Sequence, residues 1–391
     1  MKFKLLVIAS FVFVIGLQNT CVSQTDLLDN VTVSQFETLV NDVVYDSVRD
    51  VLYATIPDSV GDELGNSIAT IDPNTGELLN SIFVGSNPNA ITISDDGSHV
   101  FVGIDGTGSI RSWQPGNGTL SAPAALPQGN FGNISVAFDI TVPPGRPSTA
   151  IISTDNVGTS GNGDLSFYDG NSVTDLDVRF NTANFIGFTD ETTLVGFDDS
   201  NTGFDVVRFG LTENTLSFQG SQDRLVNNFN IEAEIGTDGN LYFTNGAVVN
   251  PETFSFLGTF STGLNDSLQL VEAVPELNTA YFIGSRSLFN GGDIVFSAFD
   301  TNTFLQVDSV TLPISTDLLG SRGELIVAGE NRLAFVSTPG AFDGRGGSGI
   351  LNFINGVPTA AAAVPEPTSL ALIVVVGGIF ASRRRRSSIA G

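Results

Sequence analysis

Oxygen ligands and carboxylate acid–base groups are the only chemistry this sequence supplies in quantity. Its 391 residues include 42 Asp and Glu, but one His and one Cys. Three acidic pairs stand out: Asp62-Glu63, Asp95-Asp96 and Asp198-Asp199. Neighbouring carboxylates can divide the roles of general acid and base, or share a Ca²⁺ ion. Each pair falls in a segment that reads as a loop, where acids also serve turn geometry and solubility. No EF-hand spacing occurs. His99, in Ser98-His99-Val100-Phe101-Val102, reads as a strand residue beside a turn. A His-rich zinc, copper or haem site cannot be built from it alone. A Ser-His-Asp triad would rest wholly on His99, and no serine has the strand–turn–helix elbow of such enzymes. Gly344-Arg345-Gly346-Gly347-Ser348-Gly349 lacks the Lys of a phosphate loop and reads as a connection. Catalytic and organic-cofactor residues are therefore not assignable, and Ca²⁺ is the one ion that the loops suggest.

These acids sit in a strongly acidic body. Residues 24–364 hold 41 acids, ten arginines and no lysine, a formal charge of −31. Such a surface repels phosphate backbones and excludes nucleic acid as a partner. It suits solubility in salty water, or attraction of cations. The only cysteine, Cys21, lies in a segment with the features of a secretory signal over residues 1–23. Lys2 and Lys4 precede an apolar run from Leu5 to Leu17, and Cys21 and Ser23 are small residues at a cleavage point. Removal of that segment leaves a mature chain without thiol chemistry.

The elements that must position the acids repeat. An apolar strand, an Asp/Gly turn and a second strand of aliphatic–aromatic–aliphatic type recur along the chain. The second strands begin at Val51, Val100, Ala150, Leu194, Leu241, Ala280 and Leu333. Their separations are 49, 50, 44, 47, 39 and 53 residues, near the period of propeller blades. Third strands follow at Ser67, Ser109, Asp164, Asp205, Ile294 and Ile350, and fourth strands at Leu78 and Leu305. Four strands per unit and seven units predict an all-β, seven-bladed β-propeller over residues 31–358. The last unit lacks a fourth strand, while Val31 to Leu39 is a spare strand ahead of the first. That strand is expected to complete the seventh blade. In such a ring Asp46, Asp95, Asp139, Asp190, Asp238 and Glu276 occupy similar places in successive units, at inner strands or their turns. They are expected to converge on the central channel.

Asn87-Pro88-Asn89-Ala90-Ile91-Thr92-Ile93-Ser94-Asp95-Asp96-Gly97-Ser98-His99-Val100-Phe101-Val102 resembles the YVTN-type propeller repeat, as does Ile71-Asp72-Pro73-Asn74-Thr75-Gly76 upstream. Some lactonases share that fold, but no active-site residue of theirs transfers to this chain.

The C-terminal end carries a different signal. After a small-residue linker over 359–363 come Val364 and then Pro365, Glu366 and Pro367. An uncharged, mostly apolar segment over 369–382 follows, and then Arg383, Arg384, Arg385 and Arg386. Fourteen helical residues span about 21 Å, short of a ~30 Å hydrocarbon core. The arginines would stay cytoplasmic. Residues 364–387 resemble PEP-CTERM sorting signals in order and spacing. That resemblance implies an exosortase-type processing enzyme as partner and transient membrane insertion through a C-terminal apolar helix. It also implies release to the cell surface or the exopolysaccharide matrix.

Together these readings predict an exported, non-enzymatic propeller that binds or scaffolds, with matrix polysaccharide or a surface protein as candidate partner. The alternative is a secreted hydrolase or lyase acting on glycans or lactones through channel carboxylates.

Overall fold

A computed structural model describes residues 27–359, except residues 62, 129–133, 157–163, 179–182, 200–201, 230, 265–268, 286–292, 315–323 and 338–347. The signal segment 1–23, most of the 359–363 linker and the sorting motif from Pro365 to Arg386 lie outside the described residues.

The first strand, β1 (Thr32–Val40), is set aside by the chain and used last. Blade 1 is built from β2 (Val43–Asp46), β3 (Val51–Ile56), β4 (Ser67–Ile71) and β5 (Leu78–Phe83). Blade 2 has β6 (Pro88–Ile93), β7 (Val100–Ile104) and β8 (Ser109–Gln114), edged by two short pieces, β9 (Thr119–Leu120) and β10 (Ala124–Ala125). Blade 3 is β11 (Ser135–Thr141), β12 (Ala150–Asn156), β13 (Leu165–Tyr168) and β14 (Val173–Asp175). Blade 4 is β15 (Phe185–Phe188), β16 (Thr193–Phe197), β17 (Val206–Thr212) and β18 (Thr215–Gln222). Blade 5 is β19 (Ala233–Ile235), β20 (Leu241–Phe243), β21 (Ala247–Asn250) and β22 (Ser255–Thr259). Blade 6 is β23 (Gln269–Val274), β24 (Thr279–Ser285), β25 (Ile294–Asp300) and β26 (Gln306–Leu312). Blade 7 runs from β27 (Leu325–Val327) through β28 (Arg332–Ser337) and β29 (Gly349–Asn355) to β1.

The seven-bladed propeller is thus the fold, and all seven second strands start within one residue of the places the repeat predicts. Ring closure is also as expected. β1 pairs antiparallel with β29, from Thr32 opposite Asn355 to Val40 opposite Gly349. Every blade is an antiparallel sheet with side chains alternating between its two faces. Because both faces pack on neighbouring blades, the second strands cannot alternate apolar with polar. In β3, Leu52, Ala54 and Ile56 pack toward blade 7, while Tyr53 packs toward blade 2. This two-sided burial explains the aliphatic–aromatic–aliphatic signature. Seven apolar clusters result, one at each seam between blades. One close seam is at Gly103 of β7. A Cβ there would sit 2.7 Å from the Ala137 Cβ of blade 3, so only glycine allows the approach.

Blade 2 departs from the repeat at its outer edge. Pro123 and Pro127 cannot donate to a ladder. Between the two short pieces Arg111 takes over, its Nε and Nη2 donating to the Ser121 carbonyl. Among the described residues no helix is long and apolar enough to cross a membrane.

Candidate functional site

An inner strand of a propeller is an edge strand. Its channel-side N–H groups have no ladder partner, and something else must satisfy them. In this ring, carboxylates do so across the seams. Asp42, just ahead of β2, accepts from its neighbour Val43 N–H (2.8 Å) and from Ile91 N–H of blade 2 (3.0 Å). Asp139, at a bulge in β11, repeats the arrangement with Ile140 N–H (2.7 Å) and Ile186 N–H of blade 4 (2.7 Å). Glu234 of β19 accepts from Ala273 N–H of blade 6, at 3.3 and 3.2 Å to its two oxygens. Glu272 of β23 faces blade 7, where the Val327 amide favours its charged form against burial. Three blades therefore hold the next through a carboxylate hydrogen bond at or beside the inner strand.

With Glu232 and Glu324 these four side chains line the channel, whose main cavity measures about 540 Å³ and whose blade 1–3 side also meets Asp105 and Asp155. Among the described residues no Lys, Arg or His lines it. The walls between the acids are apolar: Val44, Ile140, Phe185, Val271, Leu325 and Ile326. The carboxylates face a cavity walled by protein, so their charge is poorly screened. Burial raises Asp42 to about 6, Asp139 to about 7 and Glu234 to about 8, against the pull of the amides that donate to them. Glu272 is raised well above the ordinary glutamate value by burial, and then by Glu234, Glu324 and Glu276. Glu324 is raised likewise by burial and by Asp42, Asp139, Glu232 and Glu234. The belt is a set of mutually repelling acids, and burial brings Asp42, Asp139 and Glu234 toward neutrality.

Of the six acids expected in the channel, only Asp139 lies there. Asp46, Asp95, Asp190, Asp238 and Glu276 do occupy equivalent places in their units. Those places are the ends of inner strands and the turns that follow, away from the channel lining. A turn acid satisfies its own turn. Asp190 Oδ1 takes Thr192 and Thr193 N–H, and Asp238 takes Asn240 N–H and Tyr242 OH. Asp46 reaches further. It accepts from Val48 and Arg49 N–H, Tyr53 OH (3.0 Å) and Arg49 Nη1 (2.7 Å), and Arg49 in turn donates to Gly97 O of blade 2. The channel acids Asp42, Glu232, Glu234, Glu272 and Glu324 were open to detection in the sequence by one signal. Each is a carboxylate beside or within an apolar run, as in Asn41-Asp42-Val43-Val44, Ile231-Glu232-Ala233-Glu234-Ile235 or Val271-Glu272-Ala273-Val274.

The two acidic pairs described in full sit in different settings. Asp95 and Asp96 are exposed, and Asp96 ties its turn by accepting from Ser94 Oγ and Ser98 N–H. Asp198 and Asp199 are buried rather than solvated, at 1 % and 2 % exposure, and Asp198 N–H donates to Asp205 O. Asp62 is outside the described residues. Among the described residues no three His, Cys, Asp or Glu side chains come close enough to hold a metal ion. The loops therefore offer the Ca²⁺ expectation no described site.

His99 is fixed by its neighbours. Asn117 Nδ2 donates to Gln114 Oε1 (2.9 Å), so Gln114 Nε2 donates to His99 Nε2 (3.0 Å). The proton is then on Nδ1, which donates to Ser98 Oγ (2.8 Å). An imidazole that donates to a serine cannot deprotonate it. His99 stacks on Phe101 and is a packing residue.

No family model matches the sequence, and no curated protein does. Solved structures do match in fold. The β-propeller domain of Cps50 (Swd1) from Myceliophteria thermophila superposes with a TM-score of 0.59 at 11 % identity, over 83 % of this chain and 99 % of that one. U3-55K matches with a TM-score of 0.55 at 13 % identity, over 83 % of this chain and 98 % of that one. At such identities the likeness is one of fold.

Proposed function

We propose that this chain is an exported propeller that binds rather than reacts, and that its C-terminal segment delivers it to the cell surface or the surrounding polysaccharide matrix. The observation that carries the first half is the channel belt. Asp42, Asp139 and Glu234 of the channel are committed to the amides of neighbouring blades, and the turn acids Asp190 and Asp238 to their own turns. The one imidazole is a donor to the one serine it touches. A rigid ring with seven loops on each face, and no assembled nucleophile and base among its described residues, is suited to recognition. The acidic body keeps such a protein dispersed in salt and away from nucleic acid.

The second half rests on the sequence. Pro365-Glu366-Pro367, the apolar segment over 369–382 and Arg383 to Arg386 resemble a PEP-CTERM signal. Thr359, the last residue described, opens the small-residue linker that precedes this segment in the sequence. In this reading an exosortase-type enzyme cuts near Pro367 after transient membrane insertion.

Intact-mass measurement of the protein from its producing cells, with and without that enzyme, tests the proposal. The expected result is a surface or matrix form lacking residues 1–23 and the tail beyond about Pro367. An intact C-terminus held in the membrane in both strains would overturn it.

A further inference from the structure

The seam between blades 4 and 5 opens into a cleft of about 410 Å³ on the face formed by the turns after the inner strands. One wall carries Thr189, Asp190, Thr193, Arg208 and Gln219, and the other is made by Asp238-Gly239 and Asn250-Pro251-Glu252. Most polar groups in a propeller turn are consumed by the turn itself, as Asp238 and Asn250 are here. Three groups in this cleft are not.

Arg208, on β17, lies over the ring of Phe254 at 5.3 Å, and its Nη1 donates to Glu252 O. Its Nε is buried without a hydrogen-bond partner. The one ion pair among the described residues is Arg49 with Asp46, so no carboxylate neutralises this guanidinium. Gln219 makes no hydrogen bond with the described residues. It lies over Gly210, where a Cβ would come within 2.4 Å of its Nε2, so the strand leaves room for that amide. Asp190 uses only Oδ1 in its turn. The residue is exposed, so this carboxylate is open to a ligand.

A buried donor without an acceptor is costly, and a ligand that supplies one recovers that cost. The charges in the cleft restrict what the ligand can be. An isolated anion on Arg208 would face Asp190, Asp238 and a body of formal charge −31. An isolated ammonium group would face Arg208. A neutral molecule with both donors and acceptors fixed on a rigid frame meets neither objection, and vicinal hydroxyls fit the fork of a guanidinium.

We propose that the blade 4–5 cleft binds a neutral saccharide, whose hydroxyls accept from Arg208 and Gln219 and donate to Asp190. This deepens the binding role proposed above and rests on it.

Affinity electrophoresis of the purified full protein tests the assignment, in gels containing dextran, galactomannan, xylan or alginate. The expected result is retardation by at least one of the three neutral polymers. Arg208→Gln should weaken that retardation at least about tenfold, the scale of one charge-assisted hydrogen bond. Gln219→Ala, at an exposed position, provides a second reading if Arg208→Gln proves unstable, and is expected to weaken it about threefold. Glu324→Gln in the channel should leave it unchanged. Retardation that survives both cleft substitutions would overturn the site. Retardation by alginate alone, or by none of the polymers, would overturn the ligand class. None of these results bears on delivery to the surface, which intact mass and location decide separately.

Discussion

The turn acids and the channel acids of this ring carry the same functional group and are shifted in opposite directions. Asp72, Asp169 and Asp190 are held below the ordinary aspartate value, first of all by backbone N–H groups of their own turns. Asp42, Asp139 and Glu234 also accept backbone N–H groups, yet burial carries them to about 6, 7 and 8. The difference is reach and solvent. A turn acid bonds two or three residues away in open water. A channel acid bonds to a strand 39 to 49 residues away, inside the ring. Hydrogen bonding to the ionised form is common to both classes, and desolvation decides the sign.

The largest expected effect is on the whole belt. A group that binds its proton more tightly when folded contributes stability that is complete below its unfolded value. That stability is lost as pH rises through its folded value. For Asp42, Asp139 and Glu234 the window runs from about pH 4 to about 8. The turn acids act oppositely, contributing stability that is lost only as pH falls below about 4. Melting temperature should therefore fall by about 5 °C or more between pH 4.5 and 8.5. Asp139→Asn with Glu272→Gln should flatten that slope. A profile that is level in the wild type would break the comparison.

Asp46 sharpens it, being a turn acid that is buried and whose partner Arg49 crosses a seam. Asp46→Ala strands Tyr53 OH and the arginine, and should cost about 3 kcal/mol in urea unfolding. A cost no larger than at an exposed turn would mean that the Asp46 network contributes nothing beyond its own turn. The smallest effect is expected at such a turn. Asp169→Ala, which frees Asn171 and Ser172 N–H to water, should cost about 0.5 kcal/mol in the same assay.

The same contrast explains what could be read from the sequence. Second strands such as Val51–Ile56 and Ala150–Asn156 announce themselves because both of their faces are buried, which leaves a local apolar run with an aromatic centre. Turn acids are legible because Asp-x-Asn and Asp-x-Thr spacing closes a turn locally. The closing strand β1 was legible because one unit was a strand short and one strand was spare. The channel acids were missed because their partners belong to the next blade, and because bulges at Pro88/Ile91 and Ala137/Asp139 move the inner-strand register. The cleft of blades 4 and 5 was missed for a related reason. Arg208, Gln219 and Asp190 meet only after the third, fourth and inner strands of one blade are folded beside the next.

Closing the ring with its own first strand also fixes how it would respond to force. Thr32 and Asn355 are paired at one end of the β1–β29 ladder, so a pull that separates the two chain ends opens that ladder from its tip, one hydrogen bond after another. Peeling loads bonds singly, where shear would load all of them together. The first to bear tension are the pins just outside the ladder: Leu28 N–H on Asp308, Tyr281 OH on the Pro358 carbonyl, and Thr359 Oγ1 on the Gly329 carbonyl. A ring tethered through its C-terminal linker alone feels that tension on the last two of these pins, while its first strand stays unloaded and the circle remains shut.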